Sequence, residues 1–383
     1  MIDWSPTPEQ INWLLGLMTE AQDALRRAVF ALGLSEAVAG QPAWPWAQRL
    51  HGESMLFEPA QARRLLLCLG ALAGLVLLSG TALGWRRLRW PALGLGWGLA
   101  LAAPWGVVPQ LLGPAVPTSF HVSDTGFQAH AIVQGQRLYG QHCLRCHGTD
   151  GRGEGPEASS LPMWPPNLNG RLLWQRPEGE LWWAVHQGLQ DHAGRPTMPG
   201  FARQLESEQI WQLLDFLQAQ ASGQTLAREG RWEQPVRLPD ARVRCGADPL
   251  PRPLSALQGQ RLLVAGAADQ ALPLDPRVST VGQGGGAADC ELLAADRADF
   301  DQALAVLLGQ SGSGLAGQQV LADRQGWLRA RAMPGRAWSV ADLVCRSGPD
   351  AARASAPAPD PLGTLVAAMD ADPVAARRGG YPH

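Results

Sequence analysis

Between Leu65 and Trp85 the chain runs for 21 residues without a charged side chain. A helix of roughly 20 apolar residues spans the hydrocarbon of a bilayer, so such a run either crosses a membrane or lies buried in a core. A second charge-free run extends from Trp90 to Phe120, and its first part, to about Leu112, is long enough for another span. Arg86, Arg87 and Arg89 lie between the two runs. Two runs in tandem predict a transmembrane hairpin over residues 61–112. Gly70/Gly74 and Gly80/Gly84 are small-residue pairs through which its helices can approach. The positive-inside rule puts the arginine turn in the cytoplasm and both outer ends of the hairpin in the periplasm. Arg63 and Arg64 on the outer flank oppose that orientation. A single span at 65–85, or a membrane domain with further spans upstream, stays open.

Residues 1–60 lack a basic start followed by an apolar stretch and a small-residue cleavage site, so no signal peptide is expected. Thr7-Pro8-Glu9-Gln10 has the pattern of a helix start, with Thr7 as cap, Pro8 in the first turn and Gln10 completing a capping box. The helix is expected to reach about Gly33. It carries Glu20, Asp23, Arg26 and Arg27, each costing roughly 2.5–3.5 kcal/mol at a bilayer centre. An amphipathic helix on a membrane surface or a partner is therefore expected rather than a span. Trp44 and Trp46, in the Pro-rich break that follows, suit an interface.

Cys143-Leu144-Arg145-Cys146-His147 imposes a chemical constraint. Two thiols separated by two residues can each form a thioether with a porphyrin vinyl group, and the histidine that follows can ligate the iron, so the run reads as a c-type haem attachment site. A zinc site would want a second Cys/His pair at a suitable distance, and none follows. A redox Cys-x-x-Cys pair opens a helix after a strand. Here a helical pattern precedes the motif, and the loop Gly148–Pro156 follows it. The six cysteines are 68, 143, 146, 245, 290 and 345. Cys245, Cys290 and Cys345 allow at most one disulfide with one thiol left over. All 32 basic residues are arginine, and the net charge is −2. Nothing in this balance points to nucleic acid.

The sequence from Ala129 to Ser222 resembles a small mono-haem class I cytochrome c. The resemblance rests on Gly135 and Tyr139 before the Cys143/Cys146/His147 motif, the glycine loop after it, Met198-Pro199-Gly200-Phe201, and a last helix carrying Trp211, Leu214, Phe216 and Leu217. It implies one covalent haem c, with His147 as proximal and Met198 as distal iron ligand. It also implies a Pro156 carbonyl that accepts from His147 and first and last helices that cross at the glycine and aromatic positions. Met163, His186 and His192 are rivals to Met198. A thioether in the sixth position points to electron transfer, because it raises the potential and blocks substrate access. The same segments, with Gly179-Glu180-Leu181-Trp182-Trp183 and Pro117-Thr118-Ser119-Phe120, are similar to the cytochrome domain fused to copper-resistance D-type membrane proteins. That similarity implies a possible copper protein as partner. His51, Met55, His121 and His130 are conceivable copper contacts, without the dense Met/His cluster that Cu(I) selects.

Residues 234–346 read as a C-terminal α/β domain. Turns and apolar runs occupy 238–245 and 254–265, a helix is expected at Arg297–Leu308, and a hairpin at Val320–Arg331 turns at Gln325-Gly326. This part weakly resembles a thioredoxin-like redoxin that has lost its Cys-x-x-Cys, which implies a degenerate docking module. Gln283-Gly284-Gly285-Gly286 lacks the Lys-Ser/Thr of a phosphate loop. Residues 347–383, rich in Ala, Pro and Asp, are expected to be a mostly disordered tail with a short helix at Leu362–Asp370.

The fold class expected is thus multidomain: a transmembrane hairpin, a linker at 113–128, an all-α class I cytochrome c domain at 129–222 and a degenerate thioredoxin-like α/β domain. The function expected is a carrier of single electrons rather than an enzyme. It would sit at the periplasmic face of a bacterial inner membrane and serve a redox protein or membrane oxidase complex. A haem- or copper-linked sensor or scaffold is the alternative.

Overall fold

The computed structural model describes residues 6–52, 59–232, 234–248, 250–265, 275–284, 288–310, 318–332, 336–346 and 359–374. Met55, Gly285, Gly286 and the stretches 347–358 and 375–383 lie outside the described residues. The chain divides into two units, one ending at Phe120 and one beginning at His121.

In the first unit, helix α1 (Pro8–Ala31) starts as its sequence dictates. Thr7 accepts from the Gln10 amide at 3.4 Å, and the Gln10 side chain accepts from the Thr7 amide at 3.0 Å. Ile11, Leu14, Leu15 and Met18 are buried, whereas Trp13 and Leu17 are exposed on the other side. Strand β1 (Gln48–Leu50) follows, then the long apolar helix α2 (Pro59–Gly84), the arginine turn and helix α3 (Arg89–Ala102). Gly96 of α3 faces Leu75 of α2 so closely that a Cβ there would stand 3.3 Å from the Leu75 Cα. The four glycines singled out from the sequence do not form this contact: a Cβ at Gly70, Gly80 or Gly84 would meet nothing within 4 Å, and one at Gly74 would meet only the Leu99 side chain at 3.7 Å.

The second apolar run is not one straight helix. It breaks after Ala102, because Pro104 cannot continue the hydrogen-bond ladder. Trp105–Leu111 resumes at a bend of 42°. Strand β2 (Leu112–Pro114) then pairs antiparallel with β1, Leu50 opposite Leu112. Helix α2 is long and apolar enough to cross a membrane, and only 17% of its most apolar window is buried.

In the second unit, residues 121–128 form a strap along the domain they precede. The Asp240 amide donates to the Phe127 carbonyl (3.0 Å), and the Ala129 amide donates to the Asp240 carbonyl (2.9 Å). Helix α4 (Ala129–His142) leads into a single helical turn, Leu144–His147. Helix α5 (Glu178–Gln187), a small hairpin of β3 (Leu189–Gln190) and β4 (Pro196–Met198), and helix α6 (Ser207–Glu229) complete the helical part. Helix α6 runs past the expected domain end at 222, and Gly230, at φ +70°, caps it in the left-handed region.

The chain then builds a sheet from β5 (Arg242–Cys245), β6 (Arg252–Pro253), β7 (Leu262–Ala265), β8 (Ser279–Gly282), β9 (Cys290–Leu292), β10 (Gln319–Ala322) and β11 (Leu328–Ala332). Its order is β11-β10-β7-β8-β9-β5-β6. Neighbours among β7, β8 and β9 are parallel, and the rest are antiparallel. Alternating side chains divide between two faces, except on β11, where a register shift opposite Leu321/Ala322 puts Leu328 and Ala330 on different faces. Val264, Val320 and Leu328 meet helix α7 (Arg297–Leu307) through Phe300, Leu304 and Leu307. Leu263, Leu321 and Ala330 meet helix α8 (Pro361–Ala371) through Leu362, Leu365 and Val366. The α8 segment, expected to be a short helix in a loose tail, is therefore part of the packed fold. Its Leu365 is fully buried.

Cys245 and Cys290 face each other across β5 and β9 and are disulfide-bonded, while Cys345 is a buried thiol outside any disulfide. One hydrophobic core runs without interruption from the helical part into the sheet. At its centre α6 passes α7 so closely that a Cβ at Gly223 would lie 1.9 Å from the Val306 carbonyl oxygen.

Candidate functional site

The site is built on the crossing of α4 and α6. Gly135 of α4 lies against the α6 backbone, where a Cβ would stand 2.0 Å from the Gln212 carbonyl oxygen. One turn along, the Tyr139 and Phe216 rings pack at 5.3 Å. The Tyr139 hydroxyl donates to the Gly148 carbonyl (2.6 Å) and so pins the loop that follows the Cys-x-x-Cys-His turn. Burial, with Cys143 and Asp150 nearby, holds this phenol protonated well above the usual range.

Cys143, Cys146 and His147 come together on one turn, closed by Cys146 N–H to Cys143 O (3.2 Å) and His147 N–H to Cys143 O (2.9 Å). Both thiols are free. Burial and the neighbouring Cys146 push the Cys143 thiol up to about 12. The loop after His147 leaves no room for side chains at two glycines. A Cβ at Gly153 would lie 2.2 Å from the Pro165 carbonyl oxygen, and one at Gly155 would lie 2.4 Å from that of Arg145. Asn169 Nδ2 donates to the Asp150 carbonyl (2.6 Å) and Gln220 Nε2 to the Thr149 carbonyl (2.8 Å), stitching the loop to the body of the domain.

Burial lowers the pKa of His147, and the Pro166 carbonyl acts against that by favouring the protonated ring. No hydrogen bond of ordinary geometry closes on the buried Nδ1, so the Pro166 contact is a long or bent one. The resemblance implies the Pro156 carbonyl here; in the structure it is the Pro166 carbonyl that bears on the ring, without closing an ordinary hydrogen bond. Gly155 and Glu157 are drawn onto the far side of the turn: the Gly155 amide donates to Cys146 O (3.1 Å) and the Glu157 amide to Arg145 O (2.9 Å). The extended Pro165-Pro166 stretch packs over Gly153 in the space left. Just after Pro166 the Leu168 amide donates to Gly151 O (2.8 Å) and fixes the stretch there.

Met198 ends β4, opposite Leu189, half-buried against the core to which Cys143 belongs. The last turn of α5 packs on it, and a Cβ at Gly188 would meet the Met198 carbonyl oxygen at 2.6 Å. The rivals sit differently. His192 is exposed at the hairpin tip, and Met163 is 55% exposed. The His186 ring stacks on Trp182 at 4.6 Å and 16°. His51 contacts the Pro114 carbonyl, His121 is buried, and His130 pairs with Asp299 at 2.7 Å. Among the described residues no group of three or more His, Cys, Asp or Glu side chains is arranged to hold a metal ion. The residues present do fit a covalent porphyrin: two free thiols and an imidazole on one turn, an imidazole nitrogen with no close partner, and glycines where a bulkier loop would clash.

Residues 130–217 match the family model described as cytochrome c oxidase, cbb3-type, subunit III. Among curated proteins, none matches the chain. Among solved structures, a chain of the Kuenenia stuttgartiensis reducing HAO-like protein complex Kustc0457/Kustc0458 is 19% identical, with a TM-score of 0.23. That match covers 34% of this chain and 59% of the other, so it spans about three fifths of that protein's length and carries no argument here. The helical part of the second unit is thus a c-type cytochrome domain, with the covalently bound haem c and the haem-based electron transfer that this family implies.

Proposed function

We propose that the chain is a membrane-anchored carrier of single electrons with one haem c, bonded through Cys143 and Cys146 and ligated by His147 and Met198. The observation that carries this reading is the Cys143–His147 turn set beside the Gly135 crossing of α4 and α6. The group supplies a one-electron redox centre when bound. Cys143 and Cys146 would hold it by two thioethers, His147, with the Pro166 carbonyl near its ring, would supply one iron ligand and Met198 the other. A filled sixth position keeps oxygen and other small ligands out.

The anchor rests on α2 and on the broken second run. From Leu65 to Gly84 and from Trp90 to Leu111 they carry no charged side chain, and Leu72, Val76, Leu77, Leu95 and Leu101 are exposed. Trp85 and Trp90 flank the arginine turn and Trp105 lies at the other end, as aromatic side chains do at membrane interfaces. The arginine turn would face the cytoplasm and the haem domain the periplasm. The Cys245–Cys290 disulfide supports an oxidising compartment. The description of the matching family, a subunit of a cytochrome c oxidase, supports a membrane oxidase complex as partner. With Cys245 and Cys290 bonded and Cys345 buried, the sheet domain suits docking better than disulfide exchange.

The test is spectroscopic. The purified full chain should show a covalent haem c spectrum at one haem per chain that does not change when carbon monoxide is added to the reduced form. Met198→Ala should bind carbon monoxide readily. A wild type that binds it, with Met198→Ala no different, would remove Met198 from the iron.

A further inference from the structure

Asp215 sits in the middle of α6 with its residue only 6% exposed, among the hydrophobic side chains of the cytochrome core. Its carboxylate accepts from the Thr125 hydroxyl at 2.5 Å, and the Thr125 and Ser123 hydroxyls are 2.7 Å apart. Thr125 is itself buried, whereas Ser123 is partly exposed. The strap before the domain therefore lays a chain of two hydroxyls from the buried carboxyl to solvent. The charged groups that face Asp215 are Asp124 on the strap and Glu178 at the start of α5, both acidic. Among the described residues no arginine or histidine pairs with it. Desolvation, reinforced by these two acids and opposed by the Thr125 hydrogen bond, raises the carboxyl to about 7.

We infer that Asp215 is a proton-uptake site coupled to the redox state of the cytochrome domain, loaded and emptied through Thr125 and Ser123. The inference rests on the haem reading above. When the domain gains one electron from a one-electron donor, its interior becomes more negative by one charge. A buried carboxylate in a small domain then holds its proton more tightly. Asp215 takes that proton from bulk water, so one electron enters, one proton enters, and the net charge of the domain is unchanged. By linkage, ionised Asp215 favours the oxidised form, and protonated Asp215 the reduced form.

The test is a redox titration of the haem-loaded full chain in detergent from pH 5 to pH 9, with proton uptake on reduction followed by a pH-sensitive dye in weak buffer. The midpoint potential should fall as pH rises through a step near neutrality, with proton uptake greatest at that step. Asp215→Asn should remove the step and the uptake. Thr125→Val, which takes away the hydroxyl that stabilises the carboxylate, should move the step to higher pH and keeps the inference testable should the asparagine variant not fold. A flat wild-type profile, a step that persists in Asp215→Asn, or one that stays in place in Thr125→Val overturns the inference. Each of those outcomes is read on a protein with an intact c-type spectrum, so it is distinct from failure of the haem reading, in which that spectrum is itself missing.

Discussion

Asp215 is a carboxyl that folding makes harder to ionise, and this has a consequence for stability as well as for redox chemistry. Its pKa in the folded chain, about 7, stands above the ordinary carboxylate value. The folded state therefore holds a proton that the unfolded state releases. The contribution of Asp215 to stability is fully present below the ordinary carboxylate range and is lost as pH rises to about 7, at on the order of 1.4 kcal/mol per unit. Denaturant unfolding should show a midpoint that falls between pH 4 and pH 7. Asp215→Asn, neutral at every pH, should flatten that component. Nothing in the sequence around Asp215 marks it as buried, since an aspartate on an amphipathic helix ordinarily faces water. The strap that covers it comes from 90 residues earlier in the chain. The Cys143–His147 turn, by contrast, is a local pattern, and spacing alone is enough to bring its two thiols and imidazole together on one turn. Pro166 is illegible for the same reason as Asp215: which carbonyl comes near a ring depends on how the loop folds back, and Pro156 is only what the resemblance implies.

Among the elements, the α4–α6 crossing is the joint on which the cytochrome domain depends. Gly135→Ala would gain roughly 1 kcal/mol in helix propensity. It would also put a methyl group 2.0 Å from the Gln212 carbonyl oxygen. Overpacking of this kind costs about 1–3 kcal/mol, and contact with rigid backbone sets it at the upper end. Thermal unfolding should show net destabilisation, larger for Gly135→Leu. Tyr139→Phe, which removes the bond to Gly148 and leaves the ring packing on Phe216, should cost only about 1 kcal/mol. Helices with strong local signals were legible: the Thr7 cap of α1, the apolar face of α6, and the β10–β11 hairpin turning at Gly326, whose φ is +83°. Composition presents the second apolar run as one uninterrupted stretch; what it does not show is the 42° bend at Pro104 between two segments that are long and apolar enough for a span only together. Helix α8 is legible as a short helix at Leu362–Asp370, but the Ala, Pro and Asp around it give no sign that it packs on the sheet. Its Leu362, Leu365, Val366 and Met369 nonetheless repeat at helical spacing and find a sheet face to cover.

Taken whole, the second unit is stabilised by contacts far apart in sequence, which is why its sheet order and disulfide pairing were the least legible features. Three cysteines allow three pairings, and only the antiparallel register of β5 and β9 selects Cys245 with Cys290. This bond closes a loop over a sequence separation of 45, and replacing both cysteines by alanine should cost about 2–4 kcal/mol. Unfolding of the variant by denaturant, compared with the wild type under non-reducing conditions, measures it. The sheet half and the haem half should respond together, because one core runs through both and Gly223 of α6 touches the backbone of Val306 and Gly309. Circular dichroism of the sheet and absorbance of the haem should therefore give one coincident transition. That shared helix also bears on how such a chain can be inherited or engineered. A cut at residue 222 divides α6 one position before Gly223. It strips the haem half of the surface that α7 covers and leaves the sheet half without the helix it is moulded on. A gene fragment ending there would encode a damaged protein, so recombination that swaps haem cassettes must carry the stretch through Gly230 and a matching partner for Val306.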